Sequence, residues 1–350
     1  MKKLLPLLLG AAAIFAHSAM AQTATTTPVG AMTYTLAATT QVTPTYLSIP
    51  LTNSPAYSGV VETVGTNTLS FSGTPFTNGA YAQVGTPYFL RFQSGAQAGR
   101  TILVAANSTS TLTVDVTDNS SQATNLNTSG FAVAAGDKFQ IFPGDTLSGF
   151  FGDNSQANPL LIVGATALLS ADTVSIYNKS TAKFDAYYFN TTLGYWRPSA
   201  NPVSNKNNVI LYPENTIIVS RRAGRAALSF TVTGEVPNVP PLTKVTGNMM
   251  PSYASLRYPV DMTLGTLNLT NWTKSNGVLG ADVLSIYDSS TAKSVGYYQK
   301  LDGTWRKVGD AVNDQSSVTI PAGVGVVLAR RSAAVSLSTS FISNALPYSL

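Results

Sequence analysis

Few residues of this chain could do chemistry, and the missing types settle most of the question. Its only histidine is His17 and it has no cysteine. His17 lies in an N-terminal apolar leader, so the remainder can build neither Ser-His-Asp nor Cys-His triads. Thiol redox chemistry and the usual His- or Cys-based zinc, copper and iron sites go with them. Paired carboxylates are the one enzyme constellation left, since a glycosidase needs two of them flanking a sugar bond. Only Glu62, Glu214 and Glu235 are glutamates, and the 13 aspartates fall mostly beside Gly, Asn or Ser, where local turn hydrogen bonds favour Asp. Asp115-Val116-Thr117-Asp118-Asn119 and Gly152-Asp153-Asn154 lack the regular ligand spacing of a calcium loop. No catalytic, cofactor or metal site is expected, and the chain reads as a non-enzyme.

Aromatic rings are the other candidates. Tyr187-Tyr188 and Tyr297-Tyr298 are adjacent pairs on expected strands, and Trp196 and Trp305 each follow a glycine by two positions. Strand alternation turns one ring of each tyrosine pair outward. Exposed faces at Tyr187, Tyr188, Trp196, Tyr297, Tyr298 and Trp305 would stack on sugar rings. The competing reading, core and cross-strand packing, is favoured because these rings are embedded in the strand framework itself. Asp172 and Asp282 share a repeat position, as do Arg221 and Arg330. Each arginine continues an apolar face (Ile217 and Val219; Val326 and Leu328), where a stem lies on that surface and the head finds an acceptor. A structural tie is the favoured role, and a carboxylate- or phosphate-binding site the alternative.

The elements that must position these residues come from an internal repeat. Ala171-Asp172-Thr173-Val174-Ser175-Ile176-Tyr177 returns as Ala281-Asp282-Val283-Leu284-Ser285-Ile286-Tyr287. Ser180-Thr181-Ala182-Lys183 returns as Ser290-Thr291-Ala292-Lys293, and Trp196-Arg197 as Trp305-Arg306. Pro213 and Arg221-Arg222 match Pro321 and Arg330-Arg331. So many identities in fixed order make the C-terminal half two copies of one β unit. Upstream, Met32–Leu36 and Lys138–Phe142 alternate, Thr86–Phe92 and Thr101–Ala105 read as further short strands between turn residues, and Gly65-Thr66-Asn67 joins Val60–Val64 to Thr68–Phe71 as a hairpin. No helical periodicity of any length is present; Pro159–Ser170 is the one ambiguous apolar stretch.

The expected fold is all-β, an N-terminal small β-barrel followed by two tandem homologous β-sandwich domains. The segments are a signal peptide at 1–21, an N-terminal strand or linker at 22–44, and the barrel at 45–145. The first repeat follows at 146–240, a linker at 241–250 and the second repeat at 251–350.

Lys2-Lys3, the apolar run Leu4–Ala16 and Ala19-Met20-Ala21 make a Sec-type signal peptide cleaved after Ala21. Without Lys2 and Lys3, 19 of the 21 basic residues face 16 acidic ones, too weak a bias for nucleic acid. Charged residues are 11% of the chain, against about 25% in typical soluble domains, so Ser, Thr, Asn and Gly carry solubility.

The Gly59–Val64 hairpin, Ser94-Gly95-Ala96-Gln97-Ala98-Gly99-Arg100, Ser110–Asp115, Gly136-Asp137-x-Phe139-x-Ile141-x-Pro143 and the two Ala-Asp…Tyr-Tyr…Trp-Arg…Arg units form an ordered set. It resembles a family of uncharacterised exported bacterial proteins, often present as many paralogues in one genome. Only Pro143-Gly144-Asp145-Thr146-Leu147 departs, where the family pattern has an aromatic pair before Thr-Leu. The resemblance implies export and paralogy and brings no activity or site residues.

The expected role is a non-catalytic structural or surface-interaction protein of the cell envelope, in the periplasm, on the outer surface or outside the cell. Its partners would be envelope or extracellular components, such as a polysaccharide or further copies of itself, without an integral membrane segment. A glycan-binding protein using exposed Tyr and Trp is the first alternative. An outer-membrane β-barrel is the second, against which the short strand runs and the Pro347-Tyr348-Ser349-Leu350 end both argue.

Overall fold

A computed structural model of the protein describes residues 28–117, 124–128, 132–178, 181, 183–200, 203–245, 251–288, 291–331 and 341–349. The expected signal peptide and part of the 241–250 linker lie outside these residues.

The fold is all-β, with one α-helix of five residues and three short 3-10 turns among the described residues. In chain order the strands begin with β1 (Val29–Leu36) and β2 (Thr43–Leu47). Next come β3 (Tyr57–Val60), β4 (Thr63–Val64), β5 (Thr68–Ser70), β6 (Ala82–Gln83), β7 (Thr86–Phe92), β8 (Thr101–Asn107), β9 (Thr111–Val114) and β10 (Lys138–Pro143). The first repeat holds β11 (Asp145–Thr146), helix α1 (Leu147–Phe151), β12 (Thr173–Asn178), β13 (Lys183–Asn190), β14 (Tyr195–Pro198), β15 (Ile210–Leu211), β16 (Ile217–Arg221) and β17 (Leu228–Glu235). The second holds β18 (Leu242–Lys244), β19 (Pro251–Ser255), β20 (Met262–Thr263), β21 (Val283–Asp288), β22 (Lys293–Gln299), β23 (Trp305–Lys307), β24 (Thr319–Ile320), β25 (Gly325–Ala329) and β26 (Phe341–Ser343).

Strands β3 to β10 form a half-barrel in the order β3-β10-β7-β8-β9-β5-β4, with β6 folded back on β7. Alternate residues Leu90 and Phe92, Ile102 and Val104, Leu112 and Val114, Phe139 and Ile141 fill its core. The expected hairpin is there, β4 pairing β5 around Gly65-Thr66-Asn67.

The two repeats have one topology. The first sheet runs β14-β13-β12-β16-β2 and the second β23-β22-β21-β25-β19. Both carry a two-stranded bridge (β11-β15; β20-β24) and a ribbon (β1-β17; β18-β26). Each unit has its own apolar core, with Val174, Tyr187, Trp196 and Val219 in the first and Leu284, Tyr297, Trp305 and Leu328 in the second.

This matching displaces an expected boundary. Residues 43–51, assigned above to a linker and to the barrel, pair and pack with the first repeat: β2 joins β16, and Leu47, Ile49 and Leu51 enter its core. The half-barrel therefore enters between β2 and β11. In the second unit the corresponding connection, between β19 and β20, is a short loop. The five-residue helix α1 was not visible in the sequence: Thr146 caps it by accepting from the Gly149 N–H at 3.1 Å, but one turn is too short to show a period.

Candidate functional site

The six aromatics singled out for sugar stacking are all buried. Trp196 and Trp305 are fully enclosed, and Tyr187, Tyr188, Tyr297 and Tyr298 are each 8% exposed or less. The expectation that one ring of each tyrosine pair faces solvent is thereby corrected. The outer ring is covered too, in the first unit by Arg197, whose guanidinium lies 5.9 Å from the Tyr188 centroid. Burial forecloses sugar stacking by these six and makes packing their role. Trp196 donates its Nε1–H to Gly152 O at 2.8 Å, whereas Trp305 Nε1 is buried without an acceptor.

The repeated aspartates are hubs for backbone. Asp172 accepts from Val163 N (3.2 Å), Arg222 N (2.9 Å) and Arg225 Nε (3.0 Å). Asp282 accepts from Thr273 N (2.9 Å), Arg331 N (2.6 Å) and Arg330 Nε (3.4 Å). Arg221, its Nε 3.9 Å from Asp172, donates to Leu36 O, Ala37 O and Ala226 O. Charge-assisted bonds of this kind tie strand ends to loops, so the geometry is that of the structural reading.

The Ser94–Arg100 motif docks the half-barrel onto the second unit. Gly99 has φ +82°, and a Cβ there would sit 1.8 Å from Pro240 O, so no side chain fits. Its carbonyl accepts from buried Arg257 (Nη2, 2.9 Å), whose Nη1 donates to Thr101 Oγ1 at 2.7 Å. Arg100 lies over the Phe341 ring at 5.2 Å. Burial pushes the Arg91 guanidinium below its ordinary range; the nearby Arg257 charge adds to this and Glu235 opposes it. Three regions thus meet on buried charges.

The seam between the repeats is reciprocal. Ser48 N donates to Gly323 O (2.8 Å) and Ser255 N to Glu214 O (2.9 Å). Tyr46 on β2 stacks on Tyr287 of the second unit with centroids 4.7 Å apart, and Tyr253 on β19 packs on Tyr177 of the first at 4.8 Å. Each contact has its partner under an exchange of units, the signature of a local two-fold axis. On that axis Thr216 occupies the space that a side chain at Gly325 would need, 2.3 Å from its built Cβ. Burial, with neighbouring phenols, raises the Tyr46 pKa, and burial likewise raises those of Tyr177, Tyr253 and Tyr287.

A concavity of about 660 Å³ on the second unit's sheet is open to a ligand. Its surface is made by Ser285 of β21, Ser294 and Gly296 of β22, and Ala329 of β25, with Val283 and Val308 as apolar walls. Lys293, Lys307 and Arg331 line it with a single carboxylate, Asp288. The size is that of small-ligand sites. None of the six expected aromatics lines it; Lys293 and Arg331 belong to motifs legible in the repeat, but nothing marked them as a group. Glycine and serine floors give no sequence signal.

Among the described residues no group of three His, Cys, Asp or Glu could hold a metal ion. Asp115 and Asp153 instead serve local turns, accepting from Thr117 N and Ser155 N at 3.0 Å. No helix among them is long and apolar enough to cross a membrane. No protein-family model, curated protein or solved structure matches the chain.

Proposed function

We propose that this chain is a non-catalytic, exported interaction protein of the bacterial cell envelope. Its architecture is read as a small barrel inserted into the first of two β-sandwich units that face each other across a local two-fold. The observation that carries this reading is the concavity on the second unit, held on a framework whose repeated Asp and Arg side chains are spent on backbone. Such a framework presents a surface without presenting a reacting group. The outer-membrane barrel finds less support, because the longest described strands have eight residues where a spanning strand needs about nine to eleven.

The test is fractionation of the native cell. Release by osmotic shock or salt, without detergent, and an N-terminus at Gln22 are expected. Retention in the cytoplasm, or extraction by detergent alone, overturns the proposal.

A further inference from the structure

We infer that the concavity on the second unit's sheet binds an anionic glycan, a length of sugar chain carrying carboxylates. This rests on the interaction-protein reading above and specifies its ligand.

Charge is the first argument. Three cations and one carboxylate line the concavity, in a chain whose overall balance is only 21 basic to 16 acidic residues. Their spacing is the second. Lys293 pairs across the ladder with Asp288, whereas Lys307 pairs with Tyr297, four residues further along β22. At about 3.4 Å per residue that sets the two lysine backbones roughly 14 Å apart along the strand. A compact anion such as phosphate is held by donors converging on one point; charges strung along a trough suit a chain with repeated carboxylates. Between them lie Ser285 and Ser294, whose hydroxyls match ring hydroxyls, and the valine walls match the C–H face of a sugar ring.

The first unit supplies the third argument: it keeps Lys183, Thr181 and Ser175 at the places of Lys293, Thr291 and Ser285, but the fold does not demand the rest. Where the second unit has Ser294, Gly296 and Lys307, the first has Phe184, Ala186 and Pro198 at the same ladder positions. Phe184 packs into the seam against Tyr177 and Tyr253, at 5.2 and 4.6 Å. Arg222 is tied by Nε to Ala171 O (2.8 Å) and by Nη2 to Leu168 O (2.7 Å). Among the described residues its counterpart Arg331 makes one side-chain bond, to Val278 O (3.3 Å), and its buried Nε has no partner. That guanidinium is held by fewer bonds than its counterpart in the first unit.

Titration calorimetry of the full mature chain with hexameric oligogalacturonate tests this, with neutral cellohexaose and poly-glutamate as controls. Oligogalacturonate should bind, weakening as salt is raised, and both controls at least about tenfold more weakly. The double charge reversal Lys293→Glu/Lys307→Glu should lower affinity at least about tenfold without changing the melting temperature. Gly296→Leu, which fills the concavity, should do the same if it folds. Equal binding of poly-glutamate would overturn the sugar, leaving a surface for acidic protein. Undiminished oligogalacturonate binding by the charge-reversed variant would overturn the site, and absence of binding the inference as a whole. The fractionation result does not depend on these outcomes, so the ligand can fail while the envelope reading stands.

Discussion

The two repeat units are one fold put to two uses. Both bury a tryptophan beneath a five-stranded sheet, and both hang the end of that sheet on a buried aspartate. They differ where nothing in the shared framework constrains them. The first unit carries an inserted half-barrel and closes its sheet surface with Phe184; the second keeps a short loop and leaves serine and glycine in that place. The lesson is that a duplicated framework lets one copy take on architecture while the other keeps an open face.

The largest effects should show how alike the frameworks are. Asp172→Ala and Asp282→Ala each strand three donors, so each should cost about 3–5 kcal/mol in urea unfolding. The two costs should agree to within about 1 kcal/mol, because two of the three lost donors are equivalent backbone N–H groups and the third is an arginine Nε in both. A cost near zero for either would show that the hub is not shared.

Next is the axis, where symmetry must break. Gly325→Thr would place a second threonine against Thr216 and should destabilise by about 1–3 kcal/mol, as overpacking does. Adding Thr216→Gly should restore most of that loss by exchanging the two residues. A double mutant no more stable than Gly325→Thr alone would end the two-fold description of the seam.

Smaller still is the difference between the tryptophans. Trp196→Phe should cost about 1 kcal/mol more than Trp305→Phe, since only Trp196 gives up a hydrogen bond. Equal costs in paired thermal melts would show that the Gly152 bond contributes nothing.

A further effect is confined to alkali. Burial raises the Tyr187 pKa to about 12, with the Asp185 charge adding to it; Tyr297 is raised as well, by burial and then Asp288. A raised phenol pKa means the folded state prefers the neutral form. The stability it contributes is whole below the ordinary value of about 10 and is lost as pH climbs from there toward about 12. Ring-carbon NMR shifts should show Tyr187 still protonated at a pH where exposed tyrosines have ionised. Ionisation of Tyr187 near 10 would contradict the burial.

The sequence showed the repeat because long runs recur at nearly constant offset, and it showed single strands because alternation is local. It hid the membership of β1 and β2. Tyr46-Leu47-Ser48-Ile49 does echo Tyr253-Ala254-Ser255-Leu256, but four residues separated from the rest of their unit by a half-barrel carry little weight. The tyrosine pairs misled for a different reason: alternation gives the direction of a ring from its own strand and says nothing of what lies over it. The concavity was illegible because small residues make it, and the absence of side chains is not a motif.

The insertion between β2 and β11 also sets a timetable. Strands β1 and β2 are synthesised well before their partners: Thr33 waits for Thr231, 198 residues downstream. Meanwhile every ladder of the half-barrel joins strands of its own segment, so it can complete itself first. Until β16 and β17 arrive, β1 and β2 are open edges able to recruit the wrong strand. The topology predicts assembly in the order half-barrel, first unit, second unit, with the tyrosine seam, which needs strands from both units, closing last.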